Sequence, residues 1–228
     1  MKEKIRIMFI PLIVLGFILI FTNSCKKEED TSGTITDMDG NVYTSITIGT
    51  QIWMAENLKT TKYNDGSSIQ FITDNTAWSN ITTLGYCWYN NEATYKNTYG
   101  ALYNWYTVNT GKLCPIGWHV PTKSEWTTLA DYLGGESEAG SKMKETGNIH
   151  WISPLTIATN TSGFTALPGG YRSSDGSFNF IGYNGDWWSS TEYNTSEAWV
   201  LDMYYEVSYV SIASINKSYG LSVRCIKD

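Results

Sequence analysis

Read by its apolar positions, the chain alternates short β-prone bursts with turn residues, and helical spacing surfaces in two places. Val42-Tyr43 and Ile46-Thr47-Ile48 lie around two turn signals, Asp39-Gly40-Asn41 and Gly49-Thr50, which predicts short strands tightly joined. Asp37 to Asn41 superficially suggests a calcium loop. Val42 stands where an EF-hand wants Gly and Ile48 where it wants a bidentate Glu, so a plain turn is the better reading. Tyr99 to Val108 places Ala101, Leu102, Trp105 and Val108 on one helical face, with Gly111 following. The second helix is better marked. Thr122 stands three residues before Glu125, a capping box in which each side chain satisfies a free N–H of the other residue. Trp126, Leu129, Ala130 and Leu133 then share a face until Gly134-Gly135 stops the helix. A short third helix is expected around 138–145. From Ser162 onward strands and turns return, with Ala198 to Met203 and Val207 to Ile212 as one hairpin. Leu221, Val223 and Cys225 share a face at period two, which predicts a strand with a cysteine at its last inward position.

The opening of the chain is of another kind. Lys2, Lys4 and Arg6 precede a mostly apolar run from Ile7 to Phe21, interrupted by Pro11 and Gly16. The run is short against the roughly 20 residues a membrane-spanning helix needs. A positive start, an apolar middle and a small or polar close describe a secretory signal peptide over residues 1–24. Thr22-Asn23-Ser24-Cys25 resembles a lipobox, with Thr22 where Leu is usual, and implies an acylated Cys25 holding the protein to a membrane. Lys26-Lys27-Glu28-Glu29-Asp30 begins a solvated tether that ends near residue 33. Basic followed by acidic residues at that place resembles the export signal of Bacteroidetes-type lipoproteins. It implies a lipid anchor in the outer membrane with the domain at the cell surface.

Residues 34–228 show no linker, composition shift or repeat, so one domain is expected. Ten Trp, sixteen Tyr and twenty Gly suggest large aromatics wrapped by tight turns. Removing residues 1–24 takes away Lys2, Lys4, Arg6 and Glu3, so the net charge moves from −6 to −8. An acidic surface argues against nucleic acid, whose binding rests on Lys and Arg neutralising phosphates.

Gln51-Ile52-Trp53-Met54-Ala55-Glu56-Asn57-Leu58, Tyr99-Gly100-Ala101-Leu102-Tyr103-Asn104-Trp105-Tyr106 and Gly117-Trp118-His119-Val120-Pro121-Thr122 are three specific motifs. Leu167-Pro168-Gly169-Gly170-Tyr171-Arg172, Trp188-Ser189-Ser190-Thr191-Glu192 and Ser222-Val223-Arg224-Cys225 continue the series. In this order they resemble the Fibrobacter succinogenes major paralogous domain, across nearly all of residues 34–228. More distantly, the order of helix, Gly-x-His-x-Pro-Thr, helix, tryptophan-rich strands and terminal Arg-Cys resembles the C-type lectin-like fold shared by formylglycine-generating enzymes. The resemblance implies an α+β domain with two main helices flanking small antiparallel sheets.

It also implies a disulfide. With Cys25 acylated, Cys87, Cys114 and Cys225 remain, and in lectin-like domains a cysteine after the first helix pairs with one in the last strand. Cys114 and Cys225 match those places, with Cys87–Cys225 as the competing pair. No HExxH, GxSxG, P-loop or zinc spacing is present, so no catalytic residue and no metal ligand is assigned. His119 reads as a hydrogen-bonded core residue. A formylglycine-generating reaction works through cysteines near the C-terminus, where only Cys225 stands. Calcium is the cofactor that the fold analogy allows, with Asn184, Asp186, Asp202 and Glu192 as its oxygen donors, although these residues more simply cap turns. The sugar-binding signatures of that fold are absent.

These readings converge on a non-catalytic envelope lipoprotein that binds an extracellular polysaccharide or glycoprotein. A protein-docking module and a degenerate formylglycine-generating enzyme are the alternatives. The ligand site is placed on Tyr171, Arg172, Asn184, Asp186, Trp187, Trp188 and Glu192. On a strand, Trp187 and Trp188 point to opposite sides, so at least one of them belongs to the core.

Overall fold

A computed structural model describes residues 35–152 and 158–228. The expected signal peptide, the expected lipidation site Cys25 and the expected tether lie outside the described residues. Two-residue strands β1 (Ile35–Thr36) and β2 (Val42–Tyr43) flank the Asp39-Gly40-Asn41 turn, and β3 (Ser45–Ile48) and β4 (Gln51–Met54) form the next hairpin. Single-turn helices α1 (Asn75–Ser79), α2 (Lys96–Tyr99) and α3 (Trp105–Val108) alternate with strands β5 (Tyr86–Cys87) and β6 (Leu102–Tyr103). Strand β7 (Trp118–His119) leads into the two longer helices, α4 (Lys123–Tyr132) and α5 (Glu136–Met143). The remainder is β8 (Tyr171–Arg172), β9 (Phe178–Asn179), β10 (Asn184–Glu192), β11 (Glu197–Tyr204), β12 (Ser211–Asn216) and β13 (Ile226–Lys227). A four-stranded sheet runs β3-β4-β13-β7 and a three-stranded sheet β10-β11-β12, with antiparallel pairing throughout both.

The capping box forms as the sequence predicts. Thr122 accepts from the Glu125 N–H at 3.2 Å, and Glu125 accepts from the Thr122 N–H at 2.7 Å. Helix α5 answers to the expected third helix. The ten-residue helix expected over Tyr99–Val108 does not form. Gly100 sits at φ +80°, and a Cβ there would lie 2.7 Å from the Leu58 carbonyl oxygen. The chain therefore turns extended. The N–H of Ala101 donates to Leu58 at 3.0 Å and that of Tyr103 to Leu221 at 2.9 Å, before Asn104 caps the single turn of α3. Ala101, Leu102, Trp105 and Val108 are buried all the same, so the apolar spacing marked burial and not a helix.

Segment 220–227 is the hub of the fold. Arg172 and Gly220 exchange backbone hydrogen bonds at 2.9 and 2.8 Å, and Leu221 and Tyr103 do so at 2.9 and 3.0 Å. Ser222 donates to Asp186 at 3.2 Å and accepts from Trp188 at 3.1 Å, while Val223 and Cys225 accept from Leu58 and Met54. The expected single inward face becomes two. Leu221, Val223 and Cys225 pack in one core with Met54, Trp105 and Trp188, while Trp187, Trp53, Trp126 and Phe164 fill a second. Ser222 and Arg224, between them, are equally buried. Arg224 donates to Asn57 Oδ1 at 2.8 Å and to the Phe164 carbonyl, and Asn57 Oδ1 also accepts from Trp187 Nε1 at 2.8 Å.

Cys114 and Cys225 form a disulfide that closes 111 residues of sequence, and Cys87 is free and buried. The second strand of the late hairpin starts at Ser211, not Val207, because Lys144 draws the intervening loop inward. Its buried ammonium donates to the carbonyls of Tyr204 and Val207. His119 is hydrogen-bonded but not in the core. Its side chain is 37% exposed between Asp228 Oδ1 at 2.7 Å and Glu125 Oε1 at 2.9 Å.

Replacing Cys114 and Cys225 together by Ser should lower stability by about 4–5 kcal/mol, the chain-entropy value for a loop of this length, read from chemical unfolding. Partial burial lowers the His119 pKa, but the hydrogen bonds to Asp228 and Glu125 outweigh it and the net shift is upward. Stability from this contact is therefore full below the ordinary value of about 6.5 and is lost as pH rises through the raised one. An NMR titration should place the His119 midpoint above that ordinary value, and Asp228→Asn should bring it down.

Candidate functional site

Antiparallel register decides which of the predicted site residues meet. Along β10 the side chains of Asn184, Asp186 and Trp188 take one face and Trp187 the other. Asp186 stands directly opposite Asp202 of β11, where Cβ atoms lie about 4.5–5.5 Å apart. Beyond them, Ser211 of β12 is opposite Asp202. This end of the sheet face floors a cleft of about 370 Å³, within the ordinary range for small-ligand clefts.

Aromatic rings wall the cleft. Tyr171 lies 5.6 Å from Phe180 and 5.7 Å from Tyr219, centroid to centroid, and Tyr183 stands edge-on to Tyr205 at 5.5 Å. Phe180, Tyr183 and Tyr204 are 51%, 39% and 40% exposed, so the rim offers ring surface to solvent. Phe180 holds φ +62°, a left-handed backbone that costs a bulky residue about 1–3 kcal/mol. Its carbonyl accepts from the N–H groups of Tyr183 and Asn184, both at 3.0 Å, which fixes the turn that lifts the ring to the rim. On the other side of the same turn Gly170, at φ +59°, lets the chain pass so close that a Cβ would lie 2.4 Å from the Asn179 carbonyl oxygen.

The floor is electrostatically uncomfortable. Asp186 is 8% exposed, and neither its Oδ2 nor Oδ1 of Asp202 has a hydrogen-bond partner among the described residues. Burial, followed by the charge of Asp202, holds the Asp186 carboxyl well above the usual carboxylate range. Burial also pushes Asp202 up to about 6, against the hydrogen bonds of Ser211, which pull it down. Tyr171 is pushed to about 12, by burial first and the nearby Asp186 charge second.

Of the predicted residues, Tyr171, Asn184 and Asp186 line this cleft and the other four do not. Trp187 and Trp188 are both fully buried, one in each core, and have no face to offer a ligand. Their indole N–H groups are spent on Asn57 Oδ1 and the Tyr103 carbonyl. Arg172 is also buried. Its guanidinium donates to the carbonyls of Ile72, Thr73 and Gly176 and to Asn75 Oδ1, between the rings of Trp78 and Phe178. Glu192 pairs with Lys217 six residues along β10 from Asp186, roughly 20 Å away at strand rise. The four-residue calcium set is thereby split. Two carboxylates and one amide fall short of the about six to eight oxygens calcium takes, and no group of three or more His, Cys, Asp or Glu among the described residues could hold a metal ion.

A family model described as the Fibrobacter succinogenes major domain matches residues 46–227. The chain belongs to that family. No curated protein and no solved structure matches it. The motifs that carry the family resemblance mostly build this member's scaffold, since Asn57 and Arg224 are hydrogen-bonded to each other inside it and Trp188 is fully buried. Phe180, Tyr183, Tyr204, Tyr205 and Tyr219 also line the cleft and were not placed there by the sequence, which grouped Asp202 with Asn184 and Asp186 only as calcium donors. One signal was available: Asp202 interrupts the apolar face of Ala198 and Val200 at period two, where a strand should bury another apolar side chain.

Because both carboxyl pKa values are raised by folding, the pair costs stability as it ionises. Stability is full below the ordinary range near 4 and falls as pH rises through about 6. Asp186→Asn should therefore stabilise the protein at neutral pH by about 1–3 kcal/mol, the cost of a buried unsatisfied group, and flatten that fall in denaturant unfolding. A destabilised D186N protein would contradict this account of the floor.

Proposed function

We propose that this chain is a non-catalytic cell-envelope lipoprotein, anchored in the outer membrane through Cys25, whose domain binds an extracellular polysaccharide or glycoprotein in the aromatic cleft. The observation that carries the reading is the rim. Phe180, Tyr183 and Tyr204 stand out from the fold around a floor that holds Asp186 and Asp202, and exposed rings of this kind stack on the apolar faces of sugars while O–H groups take their hydroxyls. A lectin-like fold belongs to the same reading. It is supported by the capped helix α4, the second helix α5, the small antiparallel sheets and the bridge from Cys114 to the terminal segment.

Cysteine chemistry speaks for binding over a formylglycine-generating reaction. Cys225 is bonded to Cys114, and burial pushes the Cys87 thiol up to about 12, which leaves no thiolate at neutral pH. A second reading, protein docking, draws on a different place. Ile116, 84% exposed, and Met38 flank a cleft of about 330 Å³ beside Trp118.

The full chain in detergent micelles should bind one glycan class saturably on a broad panel. Tyr183→Ala and Tyr204→Ala should each weaken that binding about tenfold, with unfolding midpoints retained. Tyr193→Ala, an exposed ring at the other end of β10, should leave it unchanged. A folded chain that binds nothing on the panel overturns the reading.

A further inference from the structure

The cleft carries an imbalance that stacking on a neutral sugar leaves unused. Its lining includes three acids, Asp186, Asp202 and Glu206, and no Lys, Arg or His. The groups facing the carboxyl pair come from every neighbouring element: Tyr171 of β8, Tyr204 of β11, Ser211 of β12, Tyr219, and Glu206 after β11. None of them is a cation. Elsewhere the molecule supplies its buried ions with partners. Arg172 and Lys144 are held by carbonyls, and Lys217 by Glu192 and the Thr195 carbonyl. Only on this floor do buried carboxylate oxygens, Asp186 Oδ2 and Asp202 Oδ1, stand without a donor among the described residues.

A wall of rings over a floor that holds two donor-poor carboxyls is complementary to an organic cation bearing N–H groups. The negative ring faces attract the charge, and carboxylates accept charge-assisted hydrogen bonds from it. A bare metal ion fits less well, because rings take the places where its oxygen ligands would stand.

We infer that the cleft selects a deacetylated amino sugar, whose protonated primary amine donates to Asp186 and Asp202 while its ring lies against Tyr171 and Tyr183. The inference rests on the glycan reading above and adds the chemical class of the sugar. Charge balance gives it a signature. The free pair retains a proton near neutral pH, because burial and the charge of Asp202 raise Asp186 well above the usual range while burial brings Asp202 to about 6. The arriving ammonium takes over that proton's role, and the proton passes to buffer.

The test is calorimetry on the full chain in micelles at about pH 6.5, where the amine is largely protonated and the carboxyl pair holds one proton on Asp186. The probes are the β-1,4-linked glucosamine tetramer, its N-acetylated counterpart, a tetralysine peptide and calcium chloride. The expected result is that the glucosamine tetramer binds at least about tenfold tighter than the acetylated one. The heat should differ between buffers of different ionisation enthalpy, corresponding to about one proton released. Asp186→Asn and Asp202→Asn, each shown folded by its unfolding transition, should abolish both the preference and the proton release. Equal binding of the two tetramers, or binding of some other neutral glycan alone, overturns the amine inference and leaves the glycan reading standing. Tetralysine or calcium binding more tightly than glucosamine, with the same sensitivity to Asp186→Asn, overturns the amino-sugar assignment. No binding of glucosamine alongside a blank glycan panel overturns both.

Discussion

Backbone buried on two faces has no water to turn to, and segment 220–227 must find every one of its hydrogen bonds inside the protein. The bonds it makes reach β8, β6, β10, the 54–58 stretch and β7, so five separated parts of the chain are positioned by reference to eight residues. Arg224 makes the requirement strictest. Burial pulls its pKa down to about 9, still charged at neutral pH, and its guanidinium is held by a carbonyl, the Asn57 amide oxygen and the face of Phe164 at 4.0 Å. A buried charge held by dipoles tolerates little displacement, since moving either acceptor strands it. This explains why Asn57 is used fourfold, accepting from Trp187 and Arg224 and donating to the Tyr99 carbonyl and Ser222 Oγ.

The cleft is built on the rigid side of that arrangement. Ser222 donates to the carbonyl of Asp186 and accepts from Trp188, so the residue at the centre of the floor is fixed by the segment the scaffold depends on most. Above it the structure is less economical. A phenylalanine sits in a left-handed backbone and two carboxyls face each other across a ladder, arrangements that folding alone does not reward. Strain on a rigid base is the pattern expected where a surface is shaped for something other than its own stability.

How much of this could be read from the sequence varied with the range of the interaction. The capping box of α4 is a four-residue pattern and was legible in full. The Cys114–Cys225 bridge followed from family likeness, and no local signal would have chosen it over Cys87–Cys225. The expected helix at Tyr99–Val108 failed because Gly100 passes against Leu58, a contact across 42 residues that the periodicity of Ala101, Leu102, Trp105 and Val108 cannot report. The site reading erred in the same way. Trp187 and Trp188 looked like ligand platforms by residue type, but the strand between two cores buries both of its faces, and alternation then sends one tryptophan into each. Asp186 acquired its meaning only from register, because nothing in residues 184–192 says that Asp202 will be opposite.

The reach of these contacts bears on how the chain comes to be folded at all. Asn57 meets Ser222 and Arg224 across 165 and 167 residues, so the first sheet of the domain lacks its central partner until nearly the whole domain has left the ribosome. Non-local pairing of this kind is slow to form, because the intervening loop must be ordered before any contact rewards it. Until residues 220–227 are made, the growing chain lacks the partners that close its first sheet. Once closed, the clasp between residues 54–58 and 220–227 ties the two ends of the domain to each other, so neither can leave without breaking the contacts of the other.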